Sequence, residues 1–358
     1  MSQLIPPTVE SSAKEPKILY CLDFDGVLCD SVHETFLSGW RACQLLWNTS
    51  NDCEWMNRLE KDAAKMNELE EDFRFVRPIL YVGWEAILLI RLLAVGYQQE
   101  IAATHLDVQS PSSTRDAVFR GFHNADAECD FRDHALQSWG LDASDYSEAM
   151  ATARNTWIQQ DEASWIDAHG FYKGACQAVK AYLESMGNEN VYVITTKAKE
   201  FALRLLEKQD LFLSSSDSTT STMQEHQIFG LGSGPKASVI QQILQDRQKT
   251  SPETDFMAVM VEDNIGTLDK ISKSPVGDRV LPVVASWGYN SVQQLIGVLE
   301  KQNTSNGDKP SYVVLPRLKN SFDDITQHAE TLKQGDPTGA SLKDIFLHDS
   351  VLSFSRRP

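Results

Sequence analysis

The sequence predicts an α/β protein, a doubly wound parallel sheet into which an all-helical domain is inserted. The first observation is a set of short apolar runs typical of buried parallel strands, at residues 18–22, 191–195, 256–263, 281–287 and 311–315. The second is that helical segments separate the later runs, since repeated strand and helix units build a parallel sheet. The third is the stretch from 32 to 169, whose pattern is helical throughout. This stretch predicts a separate helical domain after the first strand.

The same patterns predict where the domains begin and end. We expect residues 17–31 and 170–330 to form a discontinuous sheet domain, and residues 32–169 to form the helical domain. The two ends of the chain, 1–16 and 331–358, are polar and interrupted by proline or glycine. Such composition predicts flexible or accessory tails.

Composition limits the classes of partner. The 358 residues include 50 Asp and Glu against 33 Lys and Arg, a net charge of -17. This balance argues against binding to nucleic acid or to an anionic membrane surface, and leaves small substrates open. No apolar run approaches the roughly 20 residues of a membrane helix. The six cysteines show no C-x-x-C spacing, which predicts reduced thiols in an intracellular, cytoplasmic protein, with an organelle as the alternative.

The stretch CLDFDGVLCD places Asp23 and Asp25 two positions apart where the first strand ends. A loop at the carboxyl end of a parallel strand is where open α/β sheets bind ligands, and paired carboxylates there suit a hard cation such as Mg2+. The alternative is an ordinary strand-to-helix turn whose polar side chains only cap the next helix. The S-x-x-E pattern from Ser31 to Glu34 predicts a capping box at the start of that helix.

Polar side chains also follow other predicted strands, at the same edge of the sheet. They are Thr195 and Thr196 after the second strand, Lys236 after a glycine-rich turn, and Glu262 and Asp263 after the strand beginning at 256. A phosphate monoester must be neutralised, held and attacked. Mg2+, a threonine hydroxyl and a lysine ammonium can neutralise and hold it, and a carboxylate can attack phosphorus to form an aspartyl-phosphate. The set therefore predicts phosphoryl transfer.

Four segments, DFDGVLCDS, VITTK, GPK and VEDNIGTL, resemble in their order the four motifs of the haloacid dehalogenase-like (HAD) hydrolase superfamily. The helical insert resembles the cap of the first type found in phosphatase-type members. The segment FYKGACQAVKAYL is similar to the one that leads from cap to core. The resemblance implies a Rossmann-like core and a Mg2+-dependent phosphatase that acts on a small phosphorylated metabolite through an aspartyl-phosphate.

The resemblance also implies roles for residues at the matched positions. Asp23 matches the nucleophile, and Asp25 matches the general acid and base. Thr195 matches the phosphate-binding hydroxyl, with Thr196 as the alternative, and Lys236 matches the phosphate-neutralising lysine. An acid at Asp25 favours phosphoryl transfer, because the dehalogenating members lack one there.

The implied metal ligands are Asp23, the backbone carbonyl of Asp25, Asp263, and Glu262 as a second candidate beside it. The segment EDNIGTL departs from the more common G-D-x-x-x-D form. It is similar to the form in sugar phosphomutases of the superfamily and in some of its phosphatases. Three functions therefore stay open: a phosphatase, a phosphomutase with the same covalent chemistry, and a non-catalytic binding protein.

In the predicted helical domain, Arg77 and Arg91 lie among apolar residues. An arginine in such surroundings usually has a bidentate partner, which makes both candidate substrate contacts, Arg77 in particular. The alternative is an internal salt bridge with an acid such as Glu85.

Overall fold

The computed structural model describes residues 16–47, 54–95, 111–123, 130–213, 221–291, 294–298 and 313–315 of the chain. The chain divides into two compact units. The sheet unit comprises Met1–Asp23, Gln177–Val284 and Leu299–Pro358, and the helical unit comprises Phe24–Cys176 and Ala285–Val298. The predicted domains meet at 31/32 and 169/170, whereas the two units meet at 23/24 and 176/177. The helical unit also includes residues 285–298, which the prediction assigned to the sheet domain. The predicted tails lie outside the described residues, apart from residue 16.

The sheet that the structure describes has six strands, and five of them are parallel, as predicted. Its strands are β1 (Lys17–Leu22), β4 (Val191–Ile194), β5 (Ile228–Phe229), β6 (Phe256–Glu262), β7 (Val280–Ala285) and β8 (Val313–Leu315), while β2 (Cys29–Asp30) and β3 (Gly170–Phe171) form a separate antiparallel pair in the helical unit. The order across the sheet is β5-β4-β1-β6-β7-β8, and every pair from β5 to β7 is parallel. β1 and β6 bury both faces, which explains why their sequences are continuous apolar runs.

The strand order places a crevice beyond the centre of the sheet. After β1 the next strands of the sheet, β4 and β5, lie on one side of it, whereas after β6 the chain continues to β7 and β8 on the other side. Neighbouring strands whose connections leave in opposite directions open a crevice outside their carboxyl ends, and open α/β sheets bind ligands there. β1 and β6 are such neighbours. Their ends, Leu22 and Glu262, therefore mark where a ligand is expected.

The helices of the described residues are α1 (Val32–Trp47), α2 (Glu54–Glu60), α3 (Ala63–Val76), α4 (Glu85–Val95), α5 (Pro111–Gly121), α6 (Phe131–Ser138), α7 (Ala143–Asp167), α8 (Lys173–Met186), α9 (Lys199–Lys208), α10 (Lys236–Thr250) and α11 (Ile265–Ser272). Within the sheet unit, α10 and α11 pack against β6. In the helical unit, α1 packs against α4 and α7. Residues 87–90 of α4 are fully buried, because this helix is apolar on nearly every side.

In the predicted capping box the Glu34 side chain would accept from the backbone N–H of Ser31, and the structure gives each of these two groups another partner. The backbone N–H of Ser31 donates to the hydroxyl of Tyr289 at 2.7 Å, and that of Val32 donates to Asp30 Oδ1 at 3.1 Å. Glu34 is fully buried, and its two oxygens accept from Nε and Nη2 of Arg154 at 2.7 and 2.9 Å. A bidentate arginine outcompetes the helix start for this carboxylate.

The four cysteines that the structure describes, Cys21, Cys29, Cys43 and Cys176, are buried and form no disulfide with one another. Burial raises the pKa of Cys21 and of Cys176 to about 12, so these thiols stay protonated and poorly nucleophilic near neutral pH. In the described part of the chain, none of the helices has both the length and the apolar character that crossing a membrane requires.

Candidate active site

Asp23 lies directly after β1, and the sheet itself fixes its position. Its backbone N–H donates to the carbonyl of Val261 in β6 at 2.9 Å, which extends the β1–β6 ladder by one residue. The residue is only 8% exposed. A carboxylate is thus held at the expected crevice by backbone hydrogen bonds on a rigid central strand.

Glu262 and Asp263 reach the same place from the neighbouring strand. β1 and β6 are in register, with Leu22 opposite Val261, so Asp23, which follows β1, is a neighbour of Glu262 at the end of β6. Carboxylate oxygens of Asp23, Glu262 and Asp263 lie within 4.8 Å of one another, and all three residues are buried. The structure therefore brings together three of the predicted acids.

Lys236 completes this group, which we call the acidic cluster with its lysine. Gly232 and Gly234 adopt φ of 92° and 97°, a conformation that favours glycine, and the turn they form ends where α10 begins at Lys236. Lys236 Nζ lies 2.9 Å from Asp23 Oδ1 and 2.5 Å from Glu262 Oε2. One ammonium thus bridges the acids of two strands.

Charge and burial oppose one another in the cluster. Burial lowers the pKa of Lys236, but Asp23 and Glu262 outweigh it, so the pKa of the ammonium is raised above its ordinary value. Burial raises the pKa of Glu262, and nearby Asp263 raises it further, against the lowering by Lys236. With three carboxylates and one ammonium, the cluster has a surplus of negative charge. A cation would relieve it.

The donor atoms fit Mg2+. The acids offer oxygen ligands only, which is the set that a small, hard divalent cation prefers. Both carboxylate oxygens of Glu262 have partners in the protein, because Oε2 binds Lys236 and Oε1 accepts from the backbone N–H of Asn264 at 3.0 Å. All three acids remain candidate ligands.

Asn264 is a site residue that the sequence analysis does not single out. Its side-chain oxygen accepts from the N–H of Thr267 at 2.9 Å and so caps α11, while its own N–H orients Glu262. The N-x-x-T spacing that follows the strand is the signal that could have found it.

The two threonines after β4 differ in their surroundings. Thr195 is buried, and Thr196 is exposed. The backbone N–H of Thr195 donates to the carbonyl of Phe229 at 2.8 Å, and its hydroxyl accepts from the N–H of Lys197 at 3.1 Å. Thr195 is thus fixed at the carboxyl end of its strand, with a hydroxyl proton that can be donated.

Two predicted site residues, Asp25 and Arg77, belong to the helical unit. Asp25 is partly buried, and its backbone forms an isolated parallel β-bridge with Cys29. The Arg77 guanidinium lies 3.9 Å from the ring centre of Tyr289 and donates from Nη1 to the carbonyl of Leu80 at 3.3 Å.

The other arginine and acid considered from the sequence have further contacts. Arg91 lies over the rings of Trp47 and Trp139, 4.4 and 4.3 Å from their centres. Glu85 accepts from Nε of Arg132 at 2.8 Å.

No family model matches the sequence, and no curated protein matches it significantly. Similar solved structures include a provisionally named phosphoglycolate phosphatase of Lactobacillus delbrueckii subsp. bulgaricus, with 11% identity, 88% of this chain and 98% of that chain covered, and a TM-score of 0.43. A predicted phosphatase of Clostridium acetobutylicum is 12% identical, with 88% of this chain and 98% of that chain covered and a TM-score of 0.39. A haloacid dehalogenase-like hydrolase of Streptococcus pneumoniae is 16% identical, with 83% of this chain and 93% of that chain covered and a TM-score of 0.36. With TM-scores below 0.5, these similarities establish neither a family nor an activity for this chain.

Proposed function

We propose that this protein is a Mg2+-dependent phosphohydrolase that cleaves a small phosphorylated metabolite through an aspartyl-phosphate. The observation that carries the proposal is the acidic cluster with its lysine. It places a buried carboxylate at the end of the central strand, beside an ammonium and two further acids. Three of the four segments that resemble motifs of HAD-like phosphatases, DFDGVLCDS, GPK and VEDNIGTL, supply these same residues.

In the first half-reaction, an oxygen of Asp23 attacks phosphorus. A bond forms between that oxygen and phosphorus, while the bond from phosphorus to the ester oxygen breaks. Lys236, already 2.9 Å from Asp23, holds the carboxylate in place and offsets the charge that gathers on the phosphoryl oxygens. The hydroxyl group of Thr195 donates a hydrogen bond to one of those oxygens.

The departing oxygen needs a proton when it leaves as an alkoxide. Asp25 follows Asp23 by two residues in the sequence, and two residues span at most about 7 Å. Its protonated carboxyl group gives the proton to the leaving oxygen. The resulting carboxylate then takes a proton from water as the water oxygen attacks phosphorus, which releases phosphate and restores Asp23 and Asp25.

Mg2+ would be held by Asp23 and Asp263, with the Asp25 carbonyl as a further ligand. When bound, it supplies positive charge that screens the anionic nucleophile from the anionic ester. Glu262 acts on the protein side of this site. It keeps Lys236 in position, and Asn264 in turn keeps Glu262 in position.

The test is phosphate release from a panel of phosphorylated metabolites and one aryl phosphate, with Mg2+ or with EDTA. We expect turnover that EDTA abolishes and Mg2+ restores. Asp23→Asn should abolish phosphoenzyme formation from every substrate, because the nucleophile is missing. Asp25→Asn should slow hydrolysis of an alkyl phosphate by roughly 10² to 10⁴, and it should slow phosphoenzyme formation from the aryl phosphate less, because a phenolate leaves without much protonation. Full activity of metal-free protein, or equal and modest losses in both variants, would contradict the proposal.

A further inference from the structure

The turn after β7, residues 286–290, contacts a loop that is very distant in sequence. This turn belongs to the helical unit, as does the loop at 24–31 that follows β1. Trp287 donates its indole N–H to the carbonyl of Val27 at 3.1 Å, and these two residues are 260 positions apart. The β1 loop is therefore tied to a segment that is made much later in the chain.

Tyr289 provides the second tie. Its hydroxyl oxygen accepts from the backbone N–H of Ser31 at 2.7 Å. It also lies 3.4 Å from the carbonyl oxygen of Cys29 and 3.4 Å from Asp30 Oδ1, and its proton can reach either. Burial raises the pKa of Tyr289 well above its ordinary value, so the hydroxyl keeps its proton at any physiological pH. We call Trp287 and Tyr289 the loop clamp.

The clamped loop has an ordered path of its own. The backbone N–H groups of Leu28 and Cys29 both donate to the carbonyl of Phe24, each at 2.9 Å. The N–H of Gly26 donates to the carbonyl of Cys29 at 2.8 Å. Asp25 therefore lies between two residues, Phe24 and Gly26, whose backbone groups are both hydrogen-bonded to the backbone of Cys29.

Three of the clamp's contacts fall on main-chain groups, at Val27, Cys29 and Ser31. Contacts of this kind fix the path of a backbone and not the identity of its side chains. The tyrosine ring is itself fixed, because the Arg77 guanidinium lies over it at 3.9 Å. The clamp thus fixes the backbone of the loop that carries Asp25 to the turn after β7.

We infer that Trp287 and Tyr289 are positioning residues, which hold the β1 loop so that the carboxyl group of Asp25 stays aligned for proton transfer. This inference rests on the proposed function. A general acid must stay within hydrogen-bond reach of the leaving oxygen. A misplacement of about 1 Å can reduce a rate by roughly 10²-fold.

The variants that test it are Tyr289→Phe and Trp287→Phe, which keep an aromatic ring and remove only the polar contact. Tyr192→Phe is the matched control, since this buried tyrosine also donates its hydroxyl to a backbone carbonyl, that of Glu189 at 3.2 Å. We expect each clamp variant to lower kcat for the best alkyl phosphate by about 10-fold to 100-fold, with little change in KM. Phosphoenzyme formation from para-nitrophenyl phosphate should stay near the wild-type rate.

Two further measurements separate positioning from loss of stability. In the Asp25→Asn background, Tyr289→Phe should cause no additional loss, because the clamp acts through Asp25. Amide hydrogen exchange in the peptide covering 24–31 should be faster in Tyr289→Phe than in wild type or Tyr192→Phe. Equal losses with both substrates, additive losses with Asp25→Asn, or unchanged exchange would overturn the inference. Wild-type protein without activity on any phosphate ester would contradict the proposed function instead, and the exchange result would still decide whether the clamp orders the loop.

Discussion

Replacing Lys236 by methionine removes the ammonium of the acidic cluster and keeps most of the side chain's apolar length. In the wild type, Nζ contacts Asp23 Oδ1 at 2.9 Å and Glu262 Oε2 at 2.5 Å. Each hydrogen bond to a charged group contributes about 1.5–3 kcal/mol. The ammonium no longer has to be buried in the variant, which offsets part of the loss. We expect the free energy of unfolding to fall by about 3–5 kcal/mol, as when one partner of a buried ion pair is removed.

Mg2+ distinguishes this loss from ordinary loss of packing. Lys236→Met removes the cation that contacts two of the three carboxylates, which lie within 4.8 Å of one another. The variant should therefore bind Mg2+ more tightly than the wild type, and a tenfold gain corresponds to about 1.4 kcal/mol. A ligand that binds only the folded state raises the free energy of unfolding by RT ln(1 + L/Kd), where L is the free ligand concentration, so tighter binding of Mg2+ gives a larger increase. Urea unfolding with Mg2+ and with EDTA measures the difference for each protein.

Lys249→Met is the matched control, because Lys249 lies on the same helix, α10, and forms an exposed ion pair with Asp246 at 2.8 Å. Surface pairs contribute at most about 1 kcal/mol. We expect this control to lose little stability and to respond to Mg2+ as the wild type does. If Mg2+ stabilises Lys236→Met no more than the wild type, the three acids do not form a cation site. If Lys236→Met loses no more stability than the control, the ion pairs of Lys236 do not support the fold.

Three further predictions concern single side chains. In Gly230→Ala, the new Cβ would lie 2.5 Å from the backbone nitrogen of Lys199, so urea unfolding should show a loss of about 1–3 kcal/mol, and unchanged stability would contradict the close approach. Thr195→Val, which keeps the volume and removes the hydroxyl, should raise KM for a phosphate ester by roughly 3-fold to 10-fold; an unchanged KM would exclude a phosphate contact. Burial raises the pKa of Glu85. The pKa is nevertheless lowered overall by His123, whose Nε2 lies 3.1 Å from Glu85 Oε1, and by hydrogen bonds from the backbone N–H groups of Tyr81 and Val82. Glu85 then stabilises the fold above its unfolded pKa and loses this effect as the pH falls through its lower folded pKa, so the stability difference between wild type and Glu85→Gln should shrink in acid, and a difference that grows in acid would refute the sign.

The long strands could be predicted because a strand buried on both faces must be apolar along its whole length. β1 and β6 show this. β5 contains only Ile228 and Phe229, which is too short for any periodicity, and the prediction missed it. β2 and β3 were missed for the same reason, since each also has two residues.

The site could be predicted only as far as the ends of strands reach. Asp23, Glu262 and Asp263 come together because β1 and β6 are neighbours, and alternation of strands and helices in the sequence favours such a sheet. What each acid touches is a matter of tertiary contact. The sequence offers Glu262 as a second candidate metal ligand, and only the structure shows that Glu262 also contacts Lys236. The loop clamp could not be predicted, because no local pattern links Tyr289 to Ser31.

The position of β1 in the sheet determines how the chain can fold. Tyr20 in the centre of β1 pairs with Val191 on one side and with Val259 on the other, so both pairings close very long stretches of chain. Contacts this distant are slow to form, whereas helices that pack on nearby helices, as α3 and α4 do, form early. During synthesis, β1 must wait without a partner until β4 and then β6 have been made. An unpaired apolar strand readily joins another chain, so a nascent protein that ends before β6 is exposed to aggregation through β1, the strand that Asp23 directly follows.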